Sequence, residues 1–382
     1  MTNTTTHPPV IAVSGSYEDM GIELGRRTAD LVAQSLATYE HRFRHDAGLD
    51  DATIKRWGLK YWDIASGYNR DIAALMHGLA EGARQPIHRI AALNARTELL
   101  FGTGYQDEGC TSVSAIATAT SNGHTLIGQN WDWHPEQGPV TFLLATRDKS
   151  EFSVLSLTEA GMLAKSGLNS AGIGVCANLL ASDRDRGGVG VPYHYLLRGA
   201  LQSKRMSEAH RNLLPVTRIS SGNVLLADAA GESIDFELAP EMFASILPVD
   251  GLIVHANHFM ADLPLVDRKA ATSALTQLRP ARLRHLLEEK AAAGQLDVGD
   301  IVAGLRDTYS DPDGICRHPD PEVPVSEQIA TVYSIVMDLN ELSFWIAPAS
   351  PRDHGYERWD ISTIFDDRAR PRVEFPPLGV SA

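Results

Sequence analysis

The sequence predicts an α+β fold built in layers. Three observations carry this: a long helical block at the start, a change at Gly109 to short β-rich runs separated by turns, and a return to helices before two closing strands. Strands and helices do not alternate one by one, as a doubly wound parallel sheet would require. The 382 residues suffice for two or three domains or for one large α/β domain. With 43% apolar and 21% charged residues the chain is globular in composition, and no internal repeat or low-complexity tract interrupts it.

Residues 16–104 read as helical. Ser16 is placed to cap a first helix, Glu18 and Asp19 suit its first turn, and Leu24, Leu31 and Leu36 recur at helical spacing. Asp50 or Asp51 then caps a segment through Trp62, another runs from Ile64 to Leu79, and Ile87 to Leu100 carries an apolar stripe. Gly102 and Gly104 end the block. From Gly109 the period becomes that of strands: Thr111 to Thr120, a turn at Asn122-Gly123, then Thr125 to Trp133. Further strand-like runs are Val140 to Thr146, Phe152 to Leu157, Ile173 to Asn178, Gly222 to Asp228, Ser233 to Leu238 and Leu252 to His255. Helices are expected at Tyr193 to Gln202, Ser207 to Leu214, Leu265 to Leu278, Pro280 to Ala293 and Val298 to Asp307, with Pro280 suited to a first helical position. Gln328 to Asp338 and Glu341 to Ile346 close the sheet, and the tail from Pro348 reads as surface wrapping.

Charge and cysteine usage narrow the function. Against 34 basic residues stand 48 acidic ones, a formal charge of −14 with no basic stripe, so nucleic acid is not an expected partner. Met1 to Pro9 lacks the features of a signal peptide and no run of about 18 apolar residues occurs, so no membrane partner and a cytoplasmic location are expected. Cys110, Cys176 and Cys316 are too few and too scattered for a disulfide framework or a zinc knuckle, which raises the question of a nucleophilic thiol.

The segment Asp107-Glu-Gly-Cys-Thr-Ser-Val-Ser114 puts Cys110 at the start of a strand, directly after a glycine. A thiol there can attack the preceding carbonyl, because Gly109 has no Cβ to block the approach. If water opens the resulting thioester, Cys110 becomes a new N-terminus whose α-amine, with an ordinary pKa of about 7.7 to 8.0, serves as base for its own thiol. Taken alone, a buried strand cysteine fits the same pattern.

Five segments in order change that balance: Gly109-Cys-Thr, Gly128-Gln-Asn-Trp-Asp132, Thr158-Glu-Ala-Gly161, Gly167-Leu-Asn-Ser-Ala-Gly-Ile-Gly174 and His255-Ala-Asn-His258. Together they resemble the acyl-coenzyme A:6-aminopenicillanate (isopenicillin N) acyltransferase family of cysteine N-terminal-nucleophile hydrolases. The resemblance implies a four-layer αββα sandwich. It further implies a precursor cut before Cys110 into a small subunit, residues 1–109, and a large one, residues 110–382, which stay together as one structural unit.

On that resemblance Cys110 is the nucleophile and Gly109 the other side of the cut. Asp132 matches a carboxylate that holds or orients the nucleophile's amine, Asn257 the oxyanion asparagine, and Asn178 a second asparagine of the wider bile-salt-hydrolase and penicillin-amidase relatives. For Asn178 a turn-capping role fits equally. Arg317 stands where these enzymes carry an arginine that lowers the thiol pKa or pairs with Asp132; a surface salt bridge is the alternative. Cys176 and Cys316 are expected to be structural thiols. A two-residue hairpin at Asn122-Gly123 would pair Val113 with Asp132, leaving Asp132 on the opposite face from the cysteine unless a bulge, at Gly128 for instance, intervenes.

Trp131, Trp133 and His134 suggest an aryl or apolar acyl pocket. His255 and His258, at i and i+3 on an extended segment, do not converge on a metal, so neither metal nor cofactor is expected. Gln129 departs from the arginine of bile-salt and penicillin V hydrolases, which favours the acyltransferase-like branch. The leading expectation is an amidase working through an acyl-thioester on Cys110. An N-acyltransferase with an acyl-coenzyme A donor shares every catalytic residue, and a non-catalytic ligand-binding sandwich is the reading from another class. Whether the processed pair assembles further is open.

Overall fold

The computed structural model describes residues 10–101, 109–273, 275–366 and 368–378. A first strand, β1 (Val10–Gly15), leads into helices α1 (Tyr17–Arg27), α2 (Ala29–His45), α3 (Asp51–Tyr68), α4 (Arg70–Gly82), α5 (Ile87–Asn94) and α6 (Arg96–Phe101). Strands β2 (Gly109–Ala115), β3 (Leu126–Trp133), β4 (Thr141–Asp148), β5 (Ser153–Glu159), β6 (Gly167–Asn169) and β7 (Ile173–Leu179) follow. Helices α7 (Tyr193–Leu201) and α8 (Met206–Leu213) precede β8 (Gly222–Asp228), β9 (Ser233–Ala239), β10 (Met242–Ile246) and β11 (Leu252–His255). The rest comprises α9 (Arg268–Thr272), α10 (Leu275–Ala292), α11 (Val298–Leu305), β12 (Ala330–Asp338), β13 (Ser343–Pro348), β14 (Tyr356–Asp360) and β15 (Arg372–Phe375).

The strands form two sheets, ordered β1-β4-β5-β6-β7-β8-β9-β10 and β11-β2-β3-β12-β13-β14-β15. Neighbours run antiparallel except β1 and β4. Side-chain alternation then sorts the core into layers. On the outer face of the first sheet, Val154, Val175, Val224 and Leu226 meet Leu196 and Leu197 of α7. On the outer face of the second, Val113, Leu126, Val254 and Val336 meet Leu283 and Leu287 of α10 and Ile301 of α11. Between the sheets lie Cys110, Ile127, Trp131, Leu155, Leu157, Cys176, Leu225 and Ile335, in one cluster with the buried faces of α1 to α5. The architecture is therefore the expected α+β sandwich of layers, helix, sheet, sheet, helix.

Several boundaries differ from the sequence reading, each for a physical reason. The chain enters as a strand, because β1 finds its partner far away in β4. The helix starting at Asp51 runs through the expected break at Trp62 to Tyr68. The real break is Asn69, whose side chain accepts from the backbone N–H groups of Asp71 and Ile72 and so caps α4. Pro280 is not the first residue of its helix but lies inside α10, near its start; of the expected helix over Leu265 to Leu278, Arg268–Thr272 forms α9 and Leu275 to Leu278 open α10. The tail from Pro348 contributes β14 and β15 to the second sheet. Gly102 and Gly104 lie outside the described residues.

The hairpin that carries Cys110 is also revised. Val113 pairs with Gly128, and Gly109 with Asp132. The strand leaves the sheet at Ala115, because Ile116 N–H turns to the Gly251 carbonyl and Ser121 N–H to that of Leu296, so Asn122-Gly123 is one turn of a longer connection. No bulge occurs at Gly128. A Cβ there would lie 2.9 Å from Cγ2 of Ile301, so the glycine serves the close approach of α11. The irregularity falls between Thr331 and Tyr333 of β12, beside Asp132.

Candidate active site

Cys110 is the second residue of β2 and is buried. Its side chain joins the inter-sheet cluster, whereas the face of Gly109 and Thr111 points toward α10. Asp132, opposite Gly109 on β3, shares that outer face. Nucleophile candidate and carboxylate thus lie on opposite sides of the sheet, as simple alternation demands. A third group joins them.

That group is Arg279 of α10, which the sequence reading did not single out. Its Nη1 donates to the Cys110 carbonyl (2.6 Å) and to Thr111 Oγ1 (2.9 Å), and its Nη2 donates to Asn257 Oδ1 (2.8 Å). Nη1 also stands 3.6 Å from Asp132 Oδ2. The fully buried arginine sits among Thr276, Leu283, Leu287 and Ala291 on the buried stripe of its helix. A charge at an apolar-period position was the available signal.

Asn257 follows β11, and its Oδ1 also accepts the backbone N–H of Cys110 (2.7 Å). Its Nδ2 donates to the Leu179 carbonyl (3.0 Å), and its own N–H is held by Thr276 Oγ1 (2.9 Å). Asp132 accepts from Thr331 Oγ1 (2.7 Å), which in turn accepts the Arg317 N–H (2.9 Å). Burial pushes the Asp132 carboxyl up; Arg279, Arg317 and Thr331 oppose it. Arg317 pairs with Asp313 (2.6 Å), and its Nη1 lies 3.0 Å from where a Gly109 side chain would begin. Cys110, Gly109, Asp132, Asn257 and Arg317 therefore converge.

Asn178 stands apart. Its Nδ2 donates to Ser112 Oγ (2.8 Å) and its Oδ1 accepts from Gln129 Nε2 (2.8 Å), so it ties the two sheets together and does not line the cavity at Cys110. That cavity is narrow, about 30 Å³, and is bounded by Cys110, Gln129, Trp131, Lys165, Tyr193 and Tyr333 among others. Lys165 Nζ sits 3.1 Å from the Trp131 ring centroid and 3.0 Å from Glu159, so the wall by Trp131 is both aromatic and cationic.

Two expectations need correction. Trp133 and His134 do not border this cavity: Trp133 is fully buried beneath Arg42 and Arg96, and burial and then Arg42 push the His134 imidazole down to about 3. Burial likewise pushes the Cys316 thiol up to about 11 and raises that of Cys176. The potential metal ligands that gather among the described residues, His124, Asp338 and Glu341, lie at the other end of β3 from Asp132. Among the described residues no helix is long and apolar enough to cross a membrane.

Two sheets packed face to face between helical layers, with Cys110 near the start of a central strand, define the class as a four-layer αββα sandwich. Comparison with known proteins agrees. The family model for acyl-coenzyme A:6-aminopenicillanic acid acyl-transferase matches residues 118–353, a span that begins beyond Cys110. The 40 kDa form of acyl-coenzyme A:6-aminopenicillanic-acid-acyltransferase from Emericella nidulans is 31% identical over 271 residues, 70% of each chain. The chain belongs to this acyltransferase family. Among solved structures, it resembles a mutant conjugated bile acid hydrolase from Clostridium perfringens at 14% identity, with a TM-score of 0.47 over 72% of this chain and 99% of that one. Penicillin V acylase from Agrobacterium tumefaciens gives 14% identity and a TM-score of 0.39 over 71% and 100%.

Proposed function

We propose that this chain is a self-processing cysteine amidohydrolase that cleaves a linear amide of a small N-acyl or peptide-like molecule. The observation that carries the reading is the hold on Cys110: its N–H is bound by Asn257 and its carbonyl by Arg279, so the backbone on both sides of the thiol is fixed by buried side chains. In the first step the Cys110 thiol adds to the Gly109 carbonyl, the Gly109–Cys110 C–N bond breaks, and the proton passes to the departing nitrogen. Water then opens the Gly109 thioester, leaving a carboxylate on Gly109 and a free α-amine and thiol on Cys110.

In the second reaction the α-amine takes the thiol proton as sulfur adds to the substrate carbonyl, and returns it to the leaving amine as the acyl-thioester forms. Asn257 keeps one face of the amine occupied, which directs its lone pair. Its amide Nδ2, which donates to the Leu179 carbonyl, is the neutral donor assigned to the oxyanion. Asp132, through Arg279 and Thr331, fixes the charge balance on the far side of the strand. Asn178 orders Gln129 and Ser112 behind the thiol rather than touching it.

Membership in an acyltransferase family favours a second reading, in which an amine instead of water takes the acyl group from Cys110. Purified protein and its Cys110→Ala variant, offered a panel of short N-acyl amides with and without an excess of a primary amine, separate the two. Acid released at a rate independent of the amine marks a hydrolase, whereas N-acyl amine formed at the expense of acid marks a transferase. Equal rates for both proteins would remove Cys110 from the reaction.

A further inference from the structure

The buried ion pair that ends β11 touches neither Cys110 nor its cavity, yet its partners bracket Asn257. Glu237 reaches across from β9 in the other sheet. Its Oε1 accepts from His255 Nε2 (2.8 Å) and from the Met260 N–H (2.5 Å), and its Oε2 accepts from the Ala261 N–H (3.0 Å). His255 Nδ1 lies 2.9 Å from the Ala256 carbonyl oxygen. Both side chains are fully buried.

Both Glu237 oxygens receive backbone N–H donors, and each His255 nitrogen faces an oxygen acceptor, an arrangement that a doubly protonated ring satisfies. A charged pair between the sheets is a costly way to fill space, since apolar side chains of similar volume would serve as well or better. What the pair supplies is aim. Glu237 grips residue 255 on one side of Asn257 and residues 260–261 on the other, so the turn presenting Asn257 Oδ1 to the Cys110 N–H is fixed at both ends.

We propose that Glu237 and the His255 imidazolium are positioning residues for Asn257, and that catalysis at Cys110 requires His255 to keep both ring protons. The proposal rests on the reading of Cys110 as nucleophile. The groups facing the ring are Asp235 and Glu237 from β9, and His258 from its own segment, whose ring centroid lies 6.3 Å away. Burial alone would push His255 down; Asp235 and then Glu237 outweigh it and hold the imidazolium above the ordinary value. Activity that needs the imidazolium is therefore present below this raised value and lost as pH rises through it. Removing the charge of Glu237 weakens what raises that value, so the loss comes at lower pH.

The test uses para-nitrophenyl acetate, whose small acyl group suits the narrow cavity, with kcat/KM followed from pH 5 to 10 for wild type and Glu237→Gln, each confirmed by mass to be processed, and for uncut Cys110→Ala as the control without the thiol. Glu237→Gln is expected to lose about a hundredfold at neutral pH, the scale of a small misplacement of a catalytic group. Its alkaline limb should also move down by about one pH unit. A uniform loss at every pH with the limb unmoved would mean a merely structural pair and overturn the proposal. Wild type no faster than Cys110→Ala would overturn the reading of Cys110 beneath it. Should Glu237→Gln not fold, nitrogen-15 histidine spectra of the wild type decide: of its 14 imidazoles, one should retain two exchange-protected N–H protons at a pH where exposed imidazoles have become neutral, and finding none refutes the imidazolium.

Discussion

Arg279 joins more of the site than any residue named from sequence. Its buried guanidinium bridges the Cys110 carbonyl, Thr111, Asn257 and the neighbourhood of Asp132. Lysine would keep the charge but not the planar fork that serves these acceptors together. Arg279→Lys is therefore expected to fold, measured by circular dichroism, and to process itself far more slowly than wild type. Arg279→Met, which leaves Asp132 short of a buried cation, should in addition lose about 3 to 5 kcal/mol in denaturant unfolding. Normal processing by Arg279→Lys would demote the residue to a packing role. Cys110, Asp132, Asn257 and Arg317 were legible because each stands in a short segment with recognisable neighbours. Arg279 stands between Leu278 and Pro280 with no such frame, and its importance emerges only once α10 is laid across β2. Trp133 and His134 misled for the converse reason: Trp133 shares the face of Trp131 by alternation, yet two positions along the strand it packs under Arg42 and Arg96 instead of at the cavity, and His134 lies beyond the end of β3.

At the level of elements, helix caps were readable, whereas the register of the Cys110 hairpin and the long-range pairing were not. Ser16 and Asp50 do cap α1 and α3. β1, β10 and the two strands after Pro348 escaped because short strands depend on partners remote in sequence. One packing device was equally hidden. Helices α1 and α4 meet through glycines: a Cβ on Gly78 would stand 2.2 Å from the Glu18 carbonyl oxygen and 2.8 Å from Ile22 N, and a Cβ on Gly21 2.2 Å from the Leu75 carbonyl oxygen. Helix propensity alone favours alanine over glycine by about 1 kcal/mol. Here backbone lies in the way. In the uncut Cys110→Ala background, Gly78→Ala is expected to destabilise by about 2 to 3 kcal/mol in urea unfolding. Gly67→Ala in α3, where nothing lies within 4 Å of the new methyl group, should be neutral or stabilising. If both glycines tolerate alanine alike, the helix contact is looser than described.

For the whole molecule, the proposed cut divides the sequence but not the core. β1 pairs with β4, and Leu36, Tyr39 and Leu93 share the central cluster with Leu143, Leu157 and Tyr195. Separating residues 1–109 from the remainder would expose that surface to water, so the fragments should travel together through gel filtration and part only in denaturant. The layered architecture followed from the order of helical and β-rich blocks, because burial of one face per element permits few arrangements. Which strand joined which sheet depended on contacts no local pattern encodes.

The central claim is that Cys110 cuts the chain before itself and thereby becomes the catalytic N-terminus. Intact-mass spectrometry of the purified protein beside Cys110→Ala tests it most directly. The account predicts two fragments from wild type, of 109 and 273 residues (382 − 109 = 273) with Cys110 leading the larger, and one 41.5 kDa chain from the variant. An uncut wild-type chain, or a variant that is cut at the same bond, would contradict it.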